Sequence, residues 1–284
     1  MGGEDIPLPG VIKKMASRIN LAHPIRTLHE QAEALERALA ASLSNASAEA
    51  IHQLRTKIRR FEAQIMLITQ SRKQPEDHHE CKKLLRHLKR LRRSAGKLRD
   101  LDVQRDLITA NVIKGTARDA RMLARSLKYR RDQQSVNFLN LAQRLKPKVS
   151  EELSGLLSAL SSADNIELPV TLVISSAQRW FTSRSRSYGS EDHLHTIRKA
   201  AKIARYMCET VPGSAAAQRI ASQFENIQDK GGEWHDWLEV TRTSREILGR
   251  KNPLIEIYNE MRDSRLVTYR RELMTLRHHV HRYK

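Results

Sequence analysis

Apolar residues recur at helical spacing through nearly the whole chain, and little in the sequence interrupts them. Across 284 residues there are only 11 glycines and 8 prolines, which excludes a turn-rich β protein and low-complexity disorder. The spacing predicts a helix over 13–43, with Ile19 and Pro24 disturbing its first turns. Ser47 is placed to cap a second helix reaching Thr69. A third runs from Glu76 to a stop at Gly96, and further pieces cover Asp100 to Asn111 and, past Gly115, Thr116 to Leu145. Pro147 and the serine-rich span 150–162 weaken the pattern, and 163–168 reads as a linker at the centre of the chain. Helices resume after Pro169, Ser190, Ser214, Gly232 and Asn252-Pro253. The run LPVTLVI at 168–174 has strand propensity, but a lone strand has no partner, so it is predicted as helix. The fold class is all-α.

The two halves resemble each other. Ser47, Glu49, Ile51, His52, Leu54, Arg55 and Arg59 match Ser190, Asp192, Leu194, His195, Ile197, Arg198 and Lys202, every pair 143 residues apart. Gly96-x-x-Arg99-Asp100 similarly matches Gly232-x-x-His235-Asp236 at a spacing of 136. Two matches in the same order imply a duplicated unit of about 140 residues, four helices in each copy. The expected division is 1–162 and 163–284.

Charge narrows the function. Lys and Arg total 51 against 32 Asp and Glu, a formal net charge of +19, so an anionic partner is expected. Aromatic residues make up 5% of the chain, too few for a binding mode built on stacked bases. Cys81 and Cys208 provide neither a disulfide framework nor a zinc set, which makes a reducing cytoplasm the expected setting. No run approaches 18 apolar residues, and residues 1–10 lack signal-peptide character. Membrane attachment is not expected, because the apolar helix faces are committed to cores.

The cations are segregated rather than mixed. On the helix after Ser190, Arg198, Lys199, Lys202 and Arg205 fall within about 80° of His195 at about 100° per residue. Ile197, Ala200, Ala204, Met207, Cys208 and Val211 occupy the opposite face. The helix after Ser47 repeats this, with His52, Arg55, Thr56 and Arg59 opposite Leu54, Ile58, Phe61, Ile65 and Ile68. Lys82, Arg86, Lys89 and Arg93 form a third stripe, backed by Leu84, Leu88, Leu91 and Ala95. Like charges at i and i+4 oppose helix formation, so stripes nearly free of Asp and Glu imply that an external anion supplies the missing charge.

Other features read differently. His52 and His195 each admit a capping or core role, but their shared place beside Arg55 and Arg198 favours a common function. Asp100 and Asp236 are expected as caps or charge clamps, and Arg99 either joins such a clamp or points to the anion. Arg184 and Arg186 read equally as ligand contacts or solvated surface. The cluster Asp77, His78, His79 and Glu80 and the terminal His278, His279 and His281 read as surface, not metal sites. Nothing matches a phosphate-binding loop, a kinase loop or a nucleophile elbow, so no catalytic residues, metal or cofactor are expected.

These residues also carry a family resemblance. His52-x-x-Arg55-x-x-x-Arg59-Arg60 resembles the first signature of the conserved histidine α-helical domain, CHAD. Gly96-x-x-Arg99-Asp100-x-Asp102-Val103 resembles its second, and His195, Arg198, Lys199, Lys202, Arg205 and Tyr206 its third. Gln228-Asp229 through Asp236 resembles the fourth, with Lys230-Gly231-Gly232 replacing a Leu-Gly pair and His235 standing where the first copy has Arg99. The likeness spans about residues 13–281. It implies two four-helix bundles with pseudo-twofold symmetry around a basic central cavity, together forming one CHAD domain. It also implies non-catalytic binding of inorganic polyphosphate and association with polyphosphate granules, with Arg60, Arg93 and Arg99 added to the contacting cations. Binding to a nucleic-acid backbone is the alternative.

Overall fold

Pro24 opens the first long helix instead of disturbing one, because its fixed φ and missing N–H suit the first helical turn. The computed structural model describes residues 21–71, 78–160, 167–187 and 189–281. Among them are eight helices: α1 (Pro24–Ser44), α2 (Ala48–Ser71), α3 (His78–Ala110), α4 (Ala117–Leu160), α5 (Val170–Arg184), α6 (Glu191–Cys208), α7 (Ala215–Leu248) and α8 (Pro253–His281). Two short strands, β1 (Leu21–Ala22) and β2 (Leu168–Pro169), pair antiparallel. Part of the LPVTLVI run thus does find a strand partner, while Val170 onward is helical. The fold is all-α. No helix of the described residues is long and apolar enough to cross a membrane.

Three serine caps behave as their chemistry dictates. Ser47, Ser190 and Ser214 accept hydrogen bonds from the amides of Ala50, His193 and Ala217 at 3.2–3.3 Å, each satisfying an orphan donor of the first turn. The chain breaks near Gly115 as expected, between α3 and α4, but the breaks expected at Gly96, Pro147 and Gly232 do not occur. α3 passes straight through Gly96, because a Cβ there would collide with the Arg55 guanidinium; the glycine makes room rather than ending the helix. α7 likewise continues through Gly231 and Gly232, and a Cβ on Gly231 would lie 2.8 Å from the Tyr269 ring and 3.1 Å from Arg198 Cγ. α4 continues through Pro147, which sits on an exposed face where water can serve the carbonyl that loses its donor.

Packing follows the apolar stripes. α1–α4 enclose one cluster around Leu28, Ile58, Phe61, Leu88 and Phe138, all fully buried. α5–α8 enclose another around Val173, Ile197, Met207, Trp234 and Tyr269, joined by Ala63 and Leu67 of α2. Each such Leu, Ile or Phe contributes about 1.5–3 kcal/mol by leaving water. A third cluster gathers the far ends of four helices: Ile108 of α3, Leu123 and Leu127 of α4, Trp237 and Val240 of α7, and Leu254 and Tyr258 of α8. Between the clusters α2 packs on α6, and α3 on α7. Small residues such as Ala63 let α2 contribute to both sides. Consequently the polar faces of α2 and α6 are brought alongside each other.

The expectations for residues 1–20, for the helix start at Glu76, for Asp77 and for the linker over 163–166 lie outside the described residues, as do the side chains of His78, His79, Glu80, His278, His279 and His281.

Candidate functional site

A cavity of about 620 Å³ opens where α2, α3, α6 and α7 meet. His52, Arg55 and Arg59 reach it from α2, Arg99 from α3, and Arg198 and Lys202 from α6. The first two sequence stripes therefore converge, because the apolar faces behind them are held in adjoining cores. Neither Arg59 nor Lys202 nor Arg198 makes an ion pair with a carboxylate of the described residues. Arg198 has a buried Nε with no protein partner. The cations instead press on one another. Burial, then Arg92 and Arg55, push Arg59 down to about 10. Burial, then Arg59, Arg198 and Arg55, push the Lys202 amine down to about 7.

The cavity lining also carries acids, which the stripes gave no reason to expect. Asp100, Asp229, Glu233 and Asp236 all line the same cavity. Part of that charge is already matched: Glu233 pairs with Lys230 at 2.8 Å and with Arg265 at 3.6 Å. Burial raises the Asp100 carboxyl despite the attraction of Arg55. Asp100 and Asp236 lie inside long helices, so neither is a cap. Among the described residues no group of three His, Cys, Asp or Glu is placed to hold a metal.

His52 lines the cavity, whereas the expected contact His195 lies outside its lining. His195 stacks on His235 with ring centroids 4.7 Å apart. Burial, then Arg198 and His235, push it down to about 3, so it is a neutral imidazole near pH 7. His52 is also lowered, by burial and then by Arg99.

Other expected contacts lie elsewhere. Arg60 turns from the cavity to pair with Glu209 at 3.0 Å and stack over Tyr206. Arg205 pairs with Glu209 at 2.6 Å and Glu225 at 2.9 Å; burial works against its charge, but these carboxylates raise it. The expectation that the stripes lack acids thus fails at these two arginines, because Glu209 sits one helical turn beyond Arg205. Lys199 is exposed outside the cavity lining, lowered by burial and by Arg198 and Arg59. Lys82, Arg86, Lys89 and Arg93 remain a solvent-exposed row on α3, also outside that lining. Arg184 lies over the Trp180 ring at 3.3 Å on α5. Sequence reasoning passed over Arg92, which pairs with Glu62 at 3.1 Å and adds its field to Arg55 and Arg59. It also passed over Arg265. Arg92 is one position from the Arg93 stripe, a difference that pattern alone does not weigh.

A cluster of unpaired guanidinium and ammonium groups facing a cavity is suited to multivalent oxyanions. Arg presents paired N–H donors to two oxygens, and Lys adds a compact charge. Comparisons with known proteins agree on the architecture. A family model described as the CHAD domain matches residues 26–243. The chain is similar to the crystal structure of the CHAD domain from the plant Ricinus communis, with a TM-score of 0.64 and 17% identity over 89% of each chain. It is also similar to PptA from Streptomyces chartreusis, with a TM-score of 0.62 and 14% identity, covering 89% of this chain and 98% of that one. No curated protein matches it.

Proposed function

The chain belongs to the CHAD domain family, and from that premise we propose that it binds inorganic polyphosphate in the cavity between α2 and α6, without catalysing a reaction on it. The observation that carries this reading is the group Arg55, Arg59, Arg198 and Lys202 lining one cavity. A linear phosphate chain has no bases to stack, so it needs closely spaced cations and little aromatic surface. The wall bearing Asp229, Glu233 and Asp236 repels it and so confines it to the α2–α6 side. The repeated sequence signatures are read as an internal duplication whose two copies each provide one cationic wall. Association with polyphosphate granules in the cytoplasm belongs to the same proposal.

Titration with long-chain polyphosphate at two salt concentrations tests it. With four phosphates neutralised and a single-strand-like counterion response, affinity is expected to fall about 50-fold between 50 and 200 mM salt. Polyphosphate should displace a bound oligonucleotide at equal phosphate concentration, and the reverse displacement should be poor; the opposite result would favour the nucleic-acid alternative. Binding should also take up a proton. The Lys202 amine titrates at about 7 in the free protein, and a bound phosphate favours its charged form. Affinity should therefore decline as pH rises from about 7, by at most about tenfold per pH unit for one proton.

Gly96→Ala isolates the contribution of Arg55. The added methyl displaces a flexible guanidinium, not a backbone, and alanine favours the helix by about 1 kcal/mol. The melting temperature should hold or rise, while polyphosphate affinity falls about tenfold through one lost charge-assisted contact. Unchanged affinity would remove Arg55 from the site.

A further inference from the structure

Lys202 differs in kind from its neighbours. It lines the cavity together with three guanidinium groups, Arg55 and Arg59 on α2 and Arg198 on α6, each of which acts on it. The other ionisable groups lining the cavity are His52, Arg99, Asp100, Asp229, Glu233, Asp236 and Arg265. Arg265 is held by Glu233, and Arg205, one turn beyond Lys202, is held by Glu209 and Glu225. When several cations crowd a confined space, the group with the weakest hold on its proton relieves the repulsion. Here that group is the amine. The matching position in the first sequence copy, Arg59, has no such option.

We propose that Lys202 is a modification site, a nucleophilic amine that reacts with small carbonyl electrophiles carrying a phosphate group. The arginines would hold the phosphate while the neutral Nζ lone pair attacks the carbonyl carbon, the pattern of an amine activated by neighbouring cations. With an acyl phosphate, the C–N bond forms and the C–O bond to phosphate breaks. Phosphate leaves with the electron pair, and the proton lost by nitrogen passes to it or to water. With a phosphorylated aldehyde, the carbinolamine loses water to form an imine. Acylation abolishes the amine's charge and places a bulky neutral group among the arginines. It would therefore lower the cavity's affinity for polyphosphate, a consequence that rests on the binding reading above.

The probe is pyridoxal 5′-phosphate on the full-length chain at pH 7.5, trapped with borohydride and mapped by mass spectrometry. At that pH an amine titrating at about 7 is roughly a thousandfold richer in its neutral form than an ordinary lysine. Its lower basicity makes it a poorer nucleophile and offsets part of that gain. Lys202 is expected to label at least tenfold faster than the exposed Lys97, Lys146 and Lys251. Pyridoxal without the phosphate should be at least tenfold slower at Lys202. Lys202→Arg should lose the fast label, because a guanidinium offers no reactive lone pair, and polyphosphate affinity should no longer decline as pH rises past about 7. Labelling of ligand-free Lys202 at the rate of the exposed lysines, in a protein that does bind polyphosphate when it is added, overturns the proposal. Equal rates for the two aldehydes overturn the assigned ligand class. Fast phosphate-dependent labelling in a protein that does not bind polyphosphate supports the reactive amine and rejects the polyphosphate reading instead.

Discussion

Replacing Arg59, Arg198 and Lys202 together by alanine is expected to weaken polyphosphate binding by roughly a thousandfold. Each charge-assisted contact is worth about 1.5 kcal/mol or more, and three give about 4.5 kcal/mol. These side chains line the cavity without carboxylate partners, so their loss removes repulsion from the folded protein along with ligand contacts. Helicity by circular dichroism should stay intact and the melting temperature should not fall. The paired double variant Arg60→Ala with Arg205→Ala is the contrast. Those charges are already matched by Glu209 and Glu225, so affinity should change by less than about threefold. Equal losses in the two variants would mean that general positive potential, not this cavity, holds the ligand.

Asp102→Ala should lower stability by about 3 kcal/mol, because it strands a half-buried guanidinium. Asp102 is 2% exposed and accepts a hydrogen bond from Arg131 Nε at 3.1 Å. Arg131 also donates to Ser135 Oγ at 2.9 Å and to the carbonyl of Ala46, just before the cap of α2. One arginine thereby ties α3, α4 and the entry to α2 together. Chemical denaturation of the variant measures the loss, and a change below about 1 kcal/mol would show the clamp to be dispensable. Asp102 does not line the cavity, so polyphosphate affinity should remain within about threefold. This separates Asp102 from Arg99 and Asp100, its neighbours in the same signature, which do line it.

The all-α class, the serine caps and the two opposed faces of α2 and α6 were legible because they depend on local chemistry: spacing, a side-chain oxygen, a periodic apolar stripe. The interior breaks placed at Gly96 and Pro147 were misread for the opposite reason. Whether Gly96 ends a helix or accommodates Arg55 depends on a side chain 41 positions away, and Pro147 is tolerated only because its face meets water. The site divides the same way. Periodicity identified the cationic faces that converge, but it could not distinguish a cation left open from one matched by a distant acid. Arg205 lies on the same stripe as Lys202, yet Glu225 on α7 neutralises it. The acids of the lining were invisible because Asp100, Asp229, Glu233 and Asp236 come from two helices and meet only in the folded chain.

The third core cluster bears on whether the chain can be divided. Ile108, Leu123 and Leu127 come from before residue 160, while Trp237, Val240, Leu254 and Tyr258 come from after it. Neither half alone can bury its share, so a cut between residues 160 and 168 would leave two mutually dependent fragments. Reassembly from separately produced pieces would restore the hub and cavity in one step. Ligand capture could then report on fragment complementation.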